Sequence, residues 1–132
     1  MHSEASVLIA DDDINLGKAI SLALRRRGYA VLSLSRLEAV EAVKEKPFNI
    51  VFVDLGTPAT DGLDILRIIK RFNSGARVVI IAHATNDLTR QALGEEASGI
   101  ICKPLEIEKV ITLIEGTKNA RKEKAVLVGG KS

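Results

Sequence analysis

Short apolar runs recur along the chain at residues 7–10, 30–34, 50–53, 78–81 and 99–102, each read as continuous rather than alternating. Continuous runs of this kind are what strands covered on both faces require. Between them the apolar period lengthens to that of a helix. Leu16, Ile20, Ala23 and Leu24 share one face, and Gly28 follows as a stop. Ser35-Arg36-Leu37-Glu38 reads as a capping box that opens a helix through Val40 and Val43, ended before Pro47. Asp61 is placed to cap a third helix, whose inner face carries Leu66, Ile69 and Phe72. A fourth helical segment, 87–96, is short and weakly periodic, whereas Ile107, Val110, Ile111 and Ile114 mark a clear fifth.

Five strand–helix units in series predict an α/β fold, a doubly wound five-stranded parallel sheet with five helices divided between its faces. Ligands in such folds bind at the carboxyl ends of the strands. One domain is expected over residues 5–118, and residues 119–132 read as a charged C-terminal tail or an extension of the last helix.

Composition narrows the function classes. Apolar residues make up 46% of the 132 positions with no Trp, which suits an aliphatic sheet packed by helices and excludes a disordered chain. A net charge of +2 is too small to argue for nucleic acid. The single cysteine, Cys102, forms no intramolecular disulfide, and it reads as a buried structural thiol. No signal-peptide pattern or membrane-length apolar run is visible, so a cytoplasmic protein without membrane association is expected. Arg25-Arg26-Arg27 ends the first helix, where cations complement the helix dipole.

The chemistry collects at the strand ends. Asp11, Asp12 and Asp13 follow the first run, Asp54 closes the third, Ala82-His83 the fourth, and Lys103-Pro104 the fifth. Two carboxylates ~4 Å apart repel by on the order of 4 kcal/mol at an effective dielectric near 20, so the cluster needs a compensating charge. A hard divalent cation supplies one. Mg²⁺ suits the rim because it takes few protein carboxylates and leaves positions open for phosphate oxygens. Lys103 adds a flexible point charge able to approach a phosphoryl group. Asp13, just before the first helix, reads as an N-cap rather than a ligand.

In order and spacing, "LIADDD", "IVFVDLGTPATDGL" and "ICKPLE" resemble the receiver domain of two-component response regulators, over most of the chain. The ordered set of acidic pair, Asp-x-x-x-Pro-x-x-Asp-Gly and Lys-Pro carries that resemblance. It implies a flavodoxin-like strand order of 2-1-3-4-5 and a signalling domain rather than an enzyme. Asp54 would be the phosphoacceptor, attacking a phosphohistidine on a sensor histidine kinase or histidine phosphotransfer protein. Asp11 and Asp12 would hold Mg²⁺ together with Asp54 and the backbone carbonyl of Gly56, and Lys103 would offset charge on the transferring phosphoryl. A downstream protein target is implied but not identified. The usual partner and homodimer surface would be the fourth helix, fifth strand and fifth helix.

The chain departs from the family pattern at the switch positions. Ala82 stands where a Thr or Ser hydroxyl is usual, and Ile100 stands at the aromatic position three residues before Lys103. Thr85 lies three residues too late to substitute, leaving too few residues before Lys103. His83 occupies a position the family keeps small; it either donates to the phosphoryl oxygens, narrows access, or lies on the surface. Two readings therefore stand. One is a single-domain phosphoacceptor in a phosphorelay, with no direct contact to nucleic acid. The other is a pseudo-receiver, a phosphorylation-independent interaction module, which Ala82 and Ile100 favour and the acidic set with Lys103 opposes. A phosphohydrolase is not supported, since no Asp-x-Asp motif follows the third strand.

Overall fold

The computed structural model describes residues 5–11, 14–55, 59–82, 97–103, 105–117 and 125–128. Strand β1 (Ser6–Ala10) leads into helix α1 (Ile14–Arg26), then β2 (Ala30–Leu34), α2 (Arg36–Glu45), β3 (Ile50–Asp54) and α3 (Ala59–Phe72). After these come β4 (Arg77–Ala82), β5 (Gly99–Cys102), α4 (Ile107–Thr117) and β6 (Ala125–Val128). All strand pairs are parallel, and the sheet order is β2-β1-β3-β4-β5-β6. The expected 2-1-3-4-5 core is present. The expected helical segment 87–96 lies outside the described residues.

Strand alternation divides the sheet into two apolar faces. Leu8, Ala10, Val51, Val53, Val78, Ile80, Ile100 and Cys102 pack against α2 and α3 through Ala39, Val40, Val43, Leu66 and Ile69. Val7, Ile9, Ile50, Phe52, Val79, Ile81 and Ile101 pack on the other side against Ile20 and Leu24 of α1 and Val110, Ile111 and Ile114 of α4. Helices on both faces make the sheet doubly wound, with strand carboxyl ends gathered along one rim.

The helix ends follow from local chemistry. Ser35 is the N-cap of α2: its side chain accepts from the Glu38 backbone N–H at 3.2 Å, and the Glu38 carboxylate accepts from the Ser35 backbone N–H. At the end of α1, Gly28 takes a φ of 95°, its N–H bonds to the Arg25 carbonyl, and the Tyr29 N–H reaches the Leu24 carbonyl. This is a Schellman ending, closed by packing of Tyr29 and Leu24 in the same apolar cluster.

Four expectations change. Strand β2 is not covered on both faces: it is the sheet edge and only partly shielded, with Leu32 38% exposed. There Arg25 Nη2 donates to the Val31 carbonyl at 2.8 Å, so one of the arginines in the last turn of α1 also satisfies an edge-strand carbonyl. Asp61 is not a cap, because α3 begins at Ala59 and residue 61 already lies in its first turn. Phe72 is half exposed at the end of α3, with Lys44 Nζ 5.6 Å from its ring centre; buried Asn73 follows it instead, accepting from the Phe48 backbone N–H. Finally, residues 125–128 continue the sheet as β6 beside β5, where a charged tail or helix extension was expected. Its sequence, AVLV, is short and β-branched, and β5 offers an edge for it to pair with.

Candidate functional site

Register and alternation place the candidate residues. Ala10 pairs with Val53, so Asp11 and Asp54 continue neighbouring strands side by side. Asp11 follows Val7 and Ile9 on one face, Asp54 follows Ile50 and Phe52, and Lys103 follows Ile101; these five apolar residues share the α1 and α4 side. Three strand ends therefore direct two carboxylates and an ammonium to one corner of the rim. Both carboxylates are buried, each residue being only 6% exposed. Lys103 Nζ donates to Asp54 Oδ2 at 3.1 Å.

The backbone holds these ends. The Asp11 N–H bonds to the Leu34 carbonyl at 3.0 Å, the Leu55 N–H to the Ile81 carbonyl at 3.0 Å, and the Lys103 N–H to the Ala82 carbonyl at 2.8 Å. Arg36 Nη1, from the first turn of α2, donates to the Leu55 carbonyl at 2.9 Å. In the sequence Arg36 stands only as a spacer within the Ser35–Glu38 capping box. Its reach to residue 55 depends on the β2–α2 corner, which no local pattern encodes.

Ala82 and Ile100 are nearly inaccessible, at 4% and 1% exposure, and belong to the apolar cluster beneath α2 and α3. Neither presents a polar group to the rim. Cys102 is in the same cluster, where burial pushes its thiol pKa upward. Asp12, Asp13, Gly56, Thr85 and His83 lie outside the described residues.

The donor set fits a hard divalent cation. Two carboxylates supply oxygen ligands from adjacent strands, and burial raises the electrostatic cost of leaving their combined charge uncompensated. Among the described residues Asp11 and Asp54 are a pair rather than a group of three such ligands. Among the same residues no helix is long and apolar enough to cross a membrane.

Comparison with known proteins agrees with this geometry. The chain is 35% identical over 121 residues to the transcriptional regulatory protein ZraR of Klebsiella oxytoca, covering 89% of this chain and 27% of that protein. It is 29% identical over 106 residues to the transcriptional regulatory protein KdpE of Mycobacterium tuberculosis, covering 80% of this chain and 47% of KdpE. The chain thus spans between a quarter and a half of these two relatives. Among solved structures, a CheY-like response regulator receiver domain protein from Methanospirillum hungatei aligns with a TM-score of 0.82 at 20% identity, over 91% of this chain and 98% of that one. A response regulator from Burkholderia pseudomallei, solved with a phosphorylated aspartic acid, a calcium ion and citrate, aligns with a TM-score of 0.76 at 21% identity, over 90% of this chain and 71% of that one. These two likenesses concern the fold. Residues 7–115 match the family model of the response regulator receiver domain, and the chain belongs to that family.

Proposed function

We propose that this domain accepts a phosphoryl group on Asp54 from a sensor histidine kinase or histidine phosphotransfer protein. The observation that carries the reading is the 3.1 Å contact between Lys103 Nζ and Asp54 Oδ2, with Asp11 beside it on the same face of the sheet. Asp54 Oδ attacks the phosphorus, the phosphorus–nitrogen bond to the donor imidazole breaks, and the imidazole leaves with its electron pair and takes up a proton. Lys103 stays within reach of the incoming phosphoryl oxygens and offsets their charge. Asp11 and Asp54, with Asp12 and the Gly56 carbonyl, would hold Mg²⁺, which when bound supplies further neutralisation of those oxygens. The same groups would serve hydrolysis of the acyl phosphate, so the domain assists its own reset while remaining a signalling module rather than an enzyme.

Output is the point of departure. Ala82 offers no hydroxyl, and Ile100 is locked in the apolar cluster at 1% exposure. A hydrogen bond to a charged group is worth about 1.5–3 kcal/mol, against about 5.5 kcal/mol needed to reverse a two-state switch from 1:99 to 99:1. Losing the hydroxyl removes a large share of the usual drive while leaving Asp54 chemistry intact. The domain is therefore proposed to take phosphate and to switch weakly, or by a route other than the hydroxyl–aromatic relay. The same two residues favour the second reading, a phosphorylation-independent pseudo-receiver.

Beryllium fluoride with Mg²⁺ separates the two, because it mimics the acyl phosphate. Saturable binding that disappears in Asp54→Asn supports the phosphoacceptor. Absence of binding to the wild-type chain supports the pseudo-receiver.

A further inference from the structure

The corner between β2 and α2 touches both carboxylate-bearing segments. At its first residue, the Leu34 carbonyl accepts the Asp11 backbone N–H at 3.0 Å. Two residues later, the Arg36 guanidinium donates to the carbonyl of Leu55, the residue after Asp54, at 2.9 Å. Ser35 between them is fixed by its reciprocal capping box with Glu38, so Arg36 springs from an ordered first turn. Paired register between β1 and β3 stops at Ala10 and Val53, one residue short of the two carboxylates. Beyond that point, the corner is a physical link between the two acidic segments.

We propose that Arg36 is a positioning residue for the acidic pair. By holding the Leu55 carbonyl, alongside the Leu55 N–H bond to the Ile81 carbonyl, it fixes the backbone one residue past Asp54 and hence the distance and angle of the Asp54 carboxylate relative to Asp11. The inference rests on the phosphoacceptor reading and deepens it. Reacting groups displaced by about 1 Å lose up to two orders of magnitude in rate, so a lost anchor one residue from the nucleophile is felt strongly.

The test uses the full chain with Arg36→Ala and Arg36→Lys, labelled by acetyl phosphate and followed by intact mass. Mg²⁺ affinity is titrated in parallel through backbone amide shifts. Arg36→Ala is expected to slow labelling by about ten-fold and to weaken Mg²⁺ binding, with Arg36→Lys recovering part of both because an ammonium also donates to a carbonyl. Val43→Ala, which opens a cavity under α2, controls for stability: it lowers the melting temperature and leaves labelling near wild type. Wild-type rates and Mg²⁺ affinity in Arg36→Ala overturn the proposal, as does equal slowing in Val43→Ala. If the wild-type chain takes no label, the phosphoacceptor reading fails, and the Mg²⁺ titration alone then judges Arg36: an unchanged midpoint in Arg36→Ala overturns its role.

Discussion

Replacing Lys103 by Gln tests the electrostatic balance of the site. The Lys103 and Asp54 side chains are 23% and 8% exposed, and their 3.1 Å contact is shielded enough to count for stability. A hydrogen bond to a charged partner contributes about 1.5–3 kcal/mol, and Gln can replace its geometry only in part. Asp11, also buried, meanwhile keeps a second negative charge nearby. Without divalent cation at pH 7, Lys103→Gln should lose about 2 kcal/mol, seen as a urea midpoint shift with an unchanged slope. Added Mg²⁺ should narrow the gap, because a cation bound to the native state stabilises it by mass action, and the variant has more negative charge to bind it. The assay is urea denaturation followed by far-ultraviolet circular dichroism, with and without saturating Mg²⁺. A variant within about 0.5 kcal/mol of wild type in the absence of metal would show that the Lys103–Asp54 contact does not stabilise the fold. A deficit that Mg²⁺ leaves unchanged would show that the cation does not compensate for the lost ammonium.

Gly28→Ala should cost about 1 kcal/mol, since the φ of 95° at this helix ending strains any side chain although nothing lies within 4 Å of the added methyl; urea titration measures it, and an unchanged midpoint would contradict the strain. Burial raises the Cys102 thiol above its ordinary 9.0, so its contribution to stability is fully present below that pH and is lost as pH rises toward the native value. Denaturation midpoints should accordingly fall above about pH 9, and Cys102→Ala should flatten part of that fall; identical alkaline profiles would remove Cys102 from the account. Native protein should resist a thiol reagent that modifies the unfolded chain at once, which mass spectrometry can follow.

Much of this molecule was legible from local chemistry. The continuous runs at 50–53 and 78–81 became central strands, fully covered on both faces. Ser35 and Glu38 became the capping box that their spacing required, because both partners of that motif lie within one turn. The convergence of Asp11, Asp54 and Lys103 was legible for a similar reason: each closes an apolar strand, and parallel strands present their ends on one rim.

What escaped the sequence depends on tertiary neighbours. Nothing in "AVLS" distinguishes an edge strand from a central one; β2 is exposed because, among the described residues, it stands at the end of the sheet order. Residues 125–128 carry a strand-like pattern, yet it was the free side of β5 that gave it a partner. Phe72 had the right spacing for the inner face of α3, but the helix ends there and buried Asn73 takes the inward position. Arg36 is the functional counterpart of these cases, since its partner is 19 residues away across a corner of the fold.

The rim formed by Asp11, Asp54 and Lys103 is proposed to make Asp54 a phosphoacceptor, and covalent labelling is the decisive test. The purified chain incubated with acetyl phosphate and Mg²⁺ should gain one phosphoryl mass, a gain that does not occur when the cation is chelated beforehand and is absent in Asp54→Asn. An unmodified wild-type chain, or an Asp54→Asn variant that labels as readily, would show that Asp54 is not the phosphoacceptor.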